Sequence, residues 1–196
     1  MKERPILFST PMVHAIMEGR KTMTRRVVKG TVLEWLQPEM FTPEYVALPE
    51  NGLCPYGQPG DLLWVREKFK SKHVKGCLEE FKLHYPNVHP WFYAADGESE
   101  KGYGSWKPSI HMPKSAARIW LRITDVRLER LHDISEEDAK AEGVEWKRTG
   151  WKDYTKDGIW FDAISSFISL WESINGIESW DQNPWVWVVS FEIIKK

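Results

Sequence analysis

The chain has 196 residues, enough for one domain or for one domain with sizeable insertions, and its 42% hydrophobic and 28% charged content is ordinary for a globular protein. A formal net charge of −1 excludes wholesale attraction to a polyanion, so any nucleic-acid contact has to come from a local patch. Cys54 and Cys77 lack C-x-x-C spacing, the six histidines lack ligand spacing, and no apolar stretch is long enough for a signal h-region or a membrane span, so we expect no metal, cofactor or membrane partner and a cytoplasmic location.

Ile6-Leu7-Phe8 reads as a short strand, and Thr10-Pro11 as a helix start with Thr10 as N-cap. Met12, Val13, Ile16 and Met17 then form one apolar stripe that Gly19 stops. Residues 20–28 turn into a strand, and 30–60 form a long excursion with a helical turn near Trp35. Gly60-Asp61 turns into the strand Leu62–Glu67, Trp91–Ala95 makes another short strand, and Gly97–Pro113 reads as a loop. Arg118–Leu131 is the longest strand. Its apolar parity slips between Ile123 and Val126, which predicts a bulge near Thr124-Asp125. Ser135 caps a short acidic helix ending at Gly143, a second helix spans Ile159–Ile174 with Trp160, Ala163, Ile164, Phe167, Trp171 and Ile174 buried, and Trp185–Ile193 closes the chain as a core strand. These elements make a mixed α+β fold around a small barrel, in a single domain without repeats.

Chemistry concentrates in Gly19-Arg20-Lys21-Thr22-Met23-Thr24-Arg25-Arg26, where Arg20, Lys21, Arg25, Arg26 and Lys29 fall within ten positions with no acid among them. Arginine pairs bidentately with phosphate, and a buried lysine that loses its proton serves as a base. A solvated basic turn accounts for the same composition.

The Gly19–Arg25 stretch resembles the G-x-K-x-x-T-x-R signature of the ASCH family. The resemblance extends through Gly60-Asp61, the long strand and Ile134-Ser135-Glu136-Glu137-Asp138-Ala139. It is closest to a phage- and prophage-associated branch, through Pro55-Tyr56-Gly57, Ser109-Ile110-His111-Met112-Pro113 and Asn183-Pro184-Trp185. The resemblance implies a PUA-like barrel with short flanking helices and a cleft suited to RNA or a modified nucleoside, DNA being a further option. Some small bacterial members resemble amidohydrolases that remove acetyl from N4-acetylcytidine with a Lys, a Thr and a Glu, which fall here on Lys21, Thr24 and Glu142.

Amide hydrolysis needs a nucleophile, a base to activate it and stabilisation of the tetrahedral intermediate. Either Thr24 attacks with Lys21 as base, or Lys21 and Glu142 activate water while Thr24 holds the substrate. An ion pair between Lys21 and Glu142 that merely ties two helices together is the structural alternative. Twelve tryptophans are unusual: either all of them build the core, or some are left for a binding face, where a flat ring stacks on a base. Trp64, Tyr93 and Trp106 are candidates to stack a base, and Arg66, Glu67, Ser109, His111 and Lys114 to read its edge or neutralise phosphate. The chain is roughly twice as long as a minimal barrel of this kind requires. The extra length, near 30–60, 70–115 and 145–158, is expected to reshape or cover the cleft. A binding module without chemistry and a phage accessory protein that contacts another protein stay open beside the enzyme, with a monomer favoured.

Overall fold

The computed structural model describes residues 1–36, 40–73, 77–86, 88–97 and 103–195. In chain order its elements are β1 (Glu3–Leu7), α1 (Thr10–Met17), β2 (Met23–Val27), α2 (Val32–Trp35), α3 (Pro43–Ala47), β3 (Leu62–Arg66), β4 (Phe69–Ser71), α4 (Leu78–His84), β5 (Trp91–Tyr93), β6 (Tyr103–Lys107), β7 (Trp120–Arg130), α5 (Glu136–Ala141), β8 (Trp146–Lys147), β9 (Gly150–Lys152), β10 (Ile159–Trp160), α6 (Ala163–Asn175) and β11 (Trp185–Ile194). The fold is α+β.

The main sheet runs β1-β3-β7-β11-β2, with β1 parallel to β3 and the other pairs antiparallel. Between β7 and the β2 edge lies β11, where Val186, Trp187, Val188 and Val189 are all buried, so both faces of this strand are covered. Ser190 pairs with Asp125 and Phe191 with Ile123, which leaves Thr124 as an extra residue on β7. That is the bulge the parity slip predicts, and it keeps Leu121 and Ile123 on the same face as Val126 and Leu128, each opposite an odd-numbered residue of β11. Helix α1 packs Met12, Val13, Ala15 and Ile16 into the core, and α6 adds Ala163, Phe167, Leu170 and Trp171.

Several elements differ from the sequence expectation. The helix expected over Ile159–Ile174 begins at Ala163. Ile159 and Trp160 instead pair with β9, and Ile174 is exposed. The stretch 145–158 supplies β8 and β9 of a three-stranded antiparallel sheet, β10-β9-β8. Phe69–Ser71 pairs with both β5 and β6, so the Gly97–Pro113 loop contains a strand; residues 98–102 of that loop lie outside the described set, as do 37–39, 74–76 and 87 of the expected insertions. The N-cap of α1 is Ser9, not Thr10. The main sheet is open: among the described residues no strand pairing joins β1 to β2. No helix of the described residues is long and apolar enough to cross a membrane.

Candidate active site

The site begins where α1 ends. The Lys21 backbone N–H donates to Ala15 O at 2.9 Å, and Lys21 forms an isolated antiparallel bridge with Glu142 at the end of α5. Both helix ends are locally encoded. The Ser135 side chain accepts from the Asp138 N–H and starts α5, and Gly143, at φ +87°, lets the chain leave it. A Cβ on Gly143 would stand 2.7 Å from Lys21 Cβ and 3.0 Å from Ala15 Cβ, so a glycine here is what allows the two helix ends to touch.

Lys21 and Glu142 are 3% and 4% exposed. Lys21 Nζ donates to Glu142 Oε2 at 2.8 Å and to the Glu142 carbonyl at 2.7 Å. Burial pulls the Lys21 pKa below the ordinary lysine range; Glu142 opposes that pull, and the charges of Arg26 and Arg25 add to it. The second carboxylate oxygen, Glu142 Oε1, is buried without a hydrogen bond, 3.5 Å from Arg25 Nη1.

Arg25 is locked from behind. Its Nη2 donates to Glu129 Oε2 at 2.9 Å and to Asp138 Oδ2 at 2.6 Å. Arg127 grips the same two carboxylates, reaching Asp138 Oδ2 at 2.6 Å and bonding Glu129 Oε1 through Nε. Charges alternate from buried Lys21 through Glu142, Arg25 and the Asp138/Glu129 pair out to the part-exposed Arg127, which fixes the Glu142 carboxylate in place.

In front of this network lies a pocket of about 150 Å³. Lys21, Thr24, Arg25, Arg26 and Glu142 line its polar end, and Phe8, Met12, Phe167, Leu170 and Trp171 its apolar wall. Thr24 reaches it from β2, opposite Val189 of β11. Arg26 holds its rim, donating to Leu7 O at 2.7 Å with its guanidinium 5.2 Å from the Phe8 ring centre. The three residues that the family resemblance names as catalytic therefore meet at one pocket.

The other candidates divide into those near the pocket and those held elsewhere. Trp106 and Ser109 line an open hollow of about 610 Å³ that shares Phe8 and Ser9 with the pocket's wall. Arg20 turns away, to Glu18 Oε2 at 2.5 Å and the Gly143 carbonyl at 2.7 Å. Trp64 is buried against Leu62 and Trp120; Arg66 stacks over it and bonds the Ile110 carbonyl. Glu67, 1% exposed, takes both arms of an Arg118 fork at 2.9 and 3.0 Å. The Tyr93 hydroxyl donates to Ala116 O at 2.7 Å, and burial raises its pKa far above the ordinary range. Lys114 pairs with Glu3, and His111, exposed in a 3-10 turn, itself lines neither the pocket nor the hollow.

Sequence reasoning missed the apolar wall. Phe167, Leu170 and Trp171 carry the periodicity of any core helix, so nothing in the pattern separates a pocket wall from packing. It also missed Lys68, which lines the open hollow. Among the described residues no group of three or more His, Cys, Asp or Glu is placed to hold a metal ion. Compared with family models, curated proteins and solved structures, the chain gives no match.

Proposed function

We propose that this chain is an ASCH-type amidohydrolase that cleaves the N-acyl group of a modified pyrimidine nucleoside of the N4-acetylcytidine kind. The observation that carries the proposal is a lysine depleted of solvent and held 2.8 Å from a glutamate at the polar end of a pocket that Thr24 also lines. The PUA-like reading of the fold belongs to the same proposal. Its support is that the two edge strands of the main sheet approach each other closely enough for the Arg26 side chain on β2 to reach Leu7 O on β1.

The chemistry follows from the protonation state. A buried lysine below its ordinary pKa gives up its proton more readily than an exposed one. Lys21 accepts the proton of the attacking oxygen, from water or the Thr24 hydroxyl, as that oxygen adds to the acyl carbon. The resulting ammonium returns the proton to the ring-bound nitrogen as the C–N bond breaks, releasing the amine. Attack by water gives the carboxylic acid directly; attack by Thr24 gives an acyl ester that water then cleaves. Glu142 holds the Lys21 amine in place, and the apolar wall takes the short acyl chain.

The test is to incubate purified protein with N4-acetylcytidine and follow cytidine release. We expect turnover that Lys21→Ala reduces at least a hundredfold, the lower end of what a positioned general base contributes, ~10²–10⁴. A folded wild-type sample without turnover removes this substrate, and a Lys21→Ala variant as active as wild type removes the mechanism. Mass spectrometry of the acid-quenched reaction separates the two nucleophiles, since only direct attack by Thr24 leaves the acyl group on that residue.

A further inference from the structure

We infer that the indole N–H of Trp171 is a further catalytic group of the inner pocket: it receives the acyl oxygen of the substrate and holds the negative charge that this oxygen gains in the tetrahedral intermediate. The inference rests on the proposed function and supplies the stabilisation that Lys21, Thr24 and Glu142 leave unassigned.

Hydrogen-bonding capacity is left unused around this pocket. Among the described residues, nine buried side-chain nitrogen or oxygen atoms have no hydrogen-bond partner, and four of them belong to residues that line the pocket: Arg25 Nε, Arg26 Nε, Glu142 Oε1 and Trp171 Nε1. Folded proteins satisfy most such atoms, so their concentration at one cavity marks a place where a ligand completes the bonding. Arg25 and Arg26 use other donors on Glu129, Asp138 and the Leu7 carbonyl. Trp171 has a single polar atom in its side chain, and that atom bonds nothing although the residue is only 5% exposed. Helix α6 puts the indole there by placing Phe167, Leu170, Trp171 and Ile174 on one face at helical spacing, and all four line the pocket. The Trp171 ring centre lies 6.0 Å from that of Phe167, and the Trp171 carbonyl accepts from Asn175 Nδ2 at 3.0 Å.

The polarity of the open atoms describes the guest. Glu142 Oε1 is an acceptor and Trp171 Nε1 a donor, and their residues line one pocket of about 150 Å³ without these atoms bonding each other. A guest that satisfies both carries an acceptor and a donor close together, as the C=O and N–H of a secondary amide do. Catalytic hydrogen bonds often tighten only once substrate is in place, so the indole contact forms as the acyl group enters. As the attacking oxygen bonds to the acyl carbon, the C=O π pair moves onto the acyl oxygen, and the indole N–H donates to the oxyanion so formed. When that pair returns to rebuild the C=O, the C–N bond breaks. Its electrons leave with the nitrogen, which takes its proton from the Lys21 ammonium. Beside the apolar side chains of Phe167 and Leu170, a fixed donor stabilises this charge more than a donor in water does.

The test replaces the indole N–H by sulfur. Trp171→benzothienylalanine keeps the bicyclic shape and removes only the donor. With N4-acetylcytidine as substrate, kcat should fall about a hundredfold, the lower end of the ~10²–10³ that one oxyanion donor contributes, with KM little changed. The urea midpoint should stay level or rise, because a buried donor without a partner destabilises the free protein. Trp160→benzothienylalanine removes an equally unpartnered N–H, on β10 and outside the pocket lining, and should leave kcat as in wild type. A second measurement needs neither turnover nor a variant. In isotope-labelled wild type, the NMR signal of the Trp171 indole N–H should move downfield as acetate, the carboxylate product, is titrated, and stay in place with chloride at the same ionic strength. An unmoved signal, or an undiminished kcat in the Trp171 variant, would each overturn the inference. An acetate-induced shift in a protein without turnover removes the proposed function and upholds Trp171 as the donor to a carboxyl oxygen. Turnover that the Trp171 replacement leaves unchanged removes this inference alone.

Discussion

At the scale of single residues, burial and Glu142 act in opposite directions on Lys21, which gives the proposed chemistry a sign that can be measured. As the acting base, Lys21 works only when uncharged, so kcat/KM should rise with pH and level off at a value below the ordinary lysine pKa. Glu142 raises that pKa against the effect of burial. Glu142→Gln should therefore move the rising limb to lower pH, whatever it does to the maximum rate, and a pH–rate profile of the two proteins checks this. Gly143 is the second residue whose effect is determined by what it touches. Gly143→Ala meets Lys21 Cβ at 2.7 Å in a backbone conformation that disfavours side chains. It should cost about 1–3 kcal/mol in urea denaturation and lower activity by displacing Lys21.

At the scale of elements, α6 both closes the core and walls the pocket, and its start depends on two carboxylates. The Asp162 side chain accepts from the Ser165 N–H at 2.7 Å and the Ser165 hydroxyl at 2.8 Å, while Glu136 of α5 accepts from the Ala163 N–H at 2.9 Å. Asp162→Ala should cost about 1 kcal/mol, read as a lower denaturation midpoint with an unchanged m-value. Local chemistry made several elements legible: the slip between Ile123 and Val126 marks the β7 bulge, and Ser135 and Gly143 mark the ends of α5. The start of α6 was not legible, because Ile159 and Trp160 continue its apolar spacing. Only pairing with Lys152 and Trp151 of β9 makes them a strand. Strands as short as β4 and β6 are likewise stabilised by partners distant in sequence, and nothing within Phe69–Ser71 marks a strand centre.

At the scale of the whole molecule, the buried titrating groups act on stability in opposite directions. The folded chain holds Lys21 below its unfolded value of 10.5, so in the window between the two the unfolded state carries more protons and stability rises with pH. Burial raises Tyr56, Tyr93 and Tyr154 above their ordinary 10.0, so above that pH the folded state carries more protons and stability falls. Urea denaturation across pH 7 to 11, a range of about four units chosen to span both windows, should show the rising limb weakened in Lys21→Met and the falling limb retained.

The sequence by itself determined the α+β class, the main strands, the bulge and the ends of α5, because these follow from period, parity and capping within a few residues. It also supplied Lys21, Thr24 and Glu142 as a set, through a motif rather than through any geometry. The tertiary structure decided the rest. Whether the set meets depends on the contact between the ends of α1 and α5, whose partners Lys21 and Glu142 lie far apart in the chain. Whether a nearby charge is available depends on partners just as remote: Arg25 is consumed by Glu129 and Asp138, and Glu67 by Arg118, while Lys68 makes no ion pair with the described residues. Charge and aromaticity are properties of a residue, but their availability to a ligand is a property of what the fold packs against them.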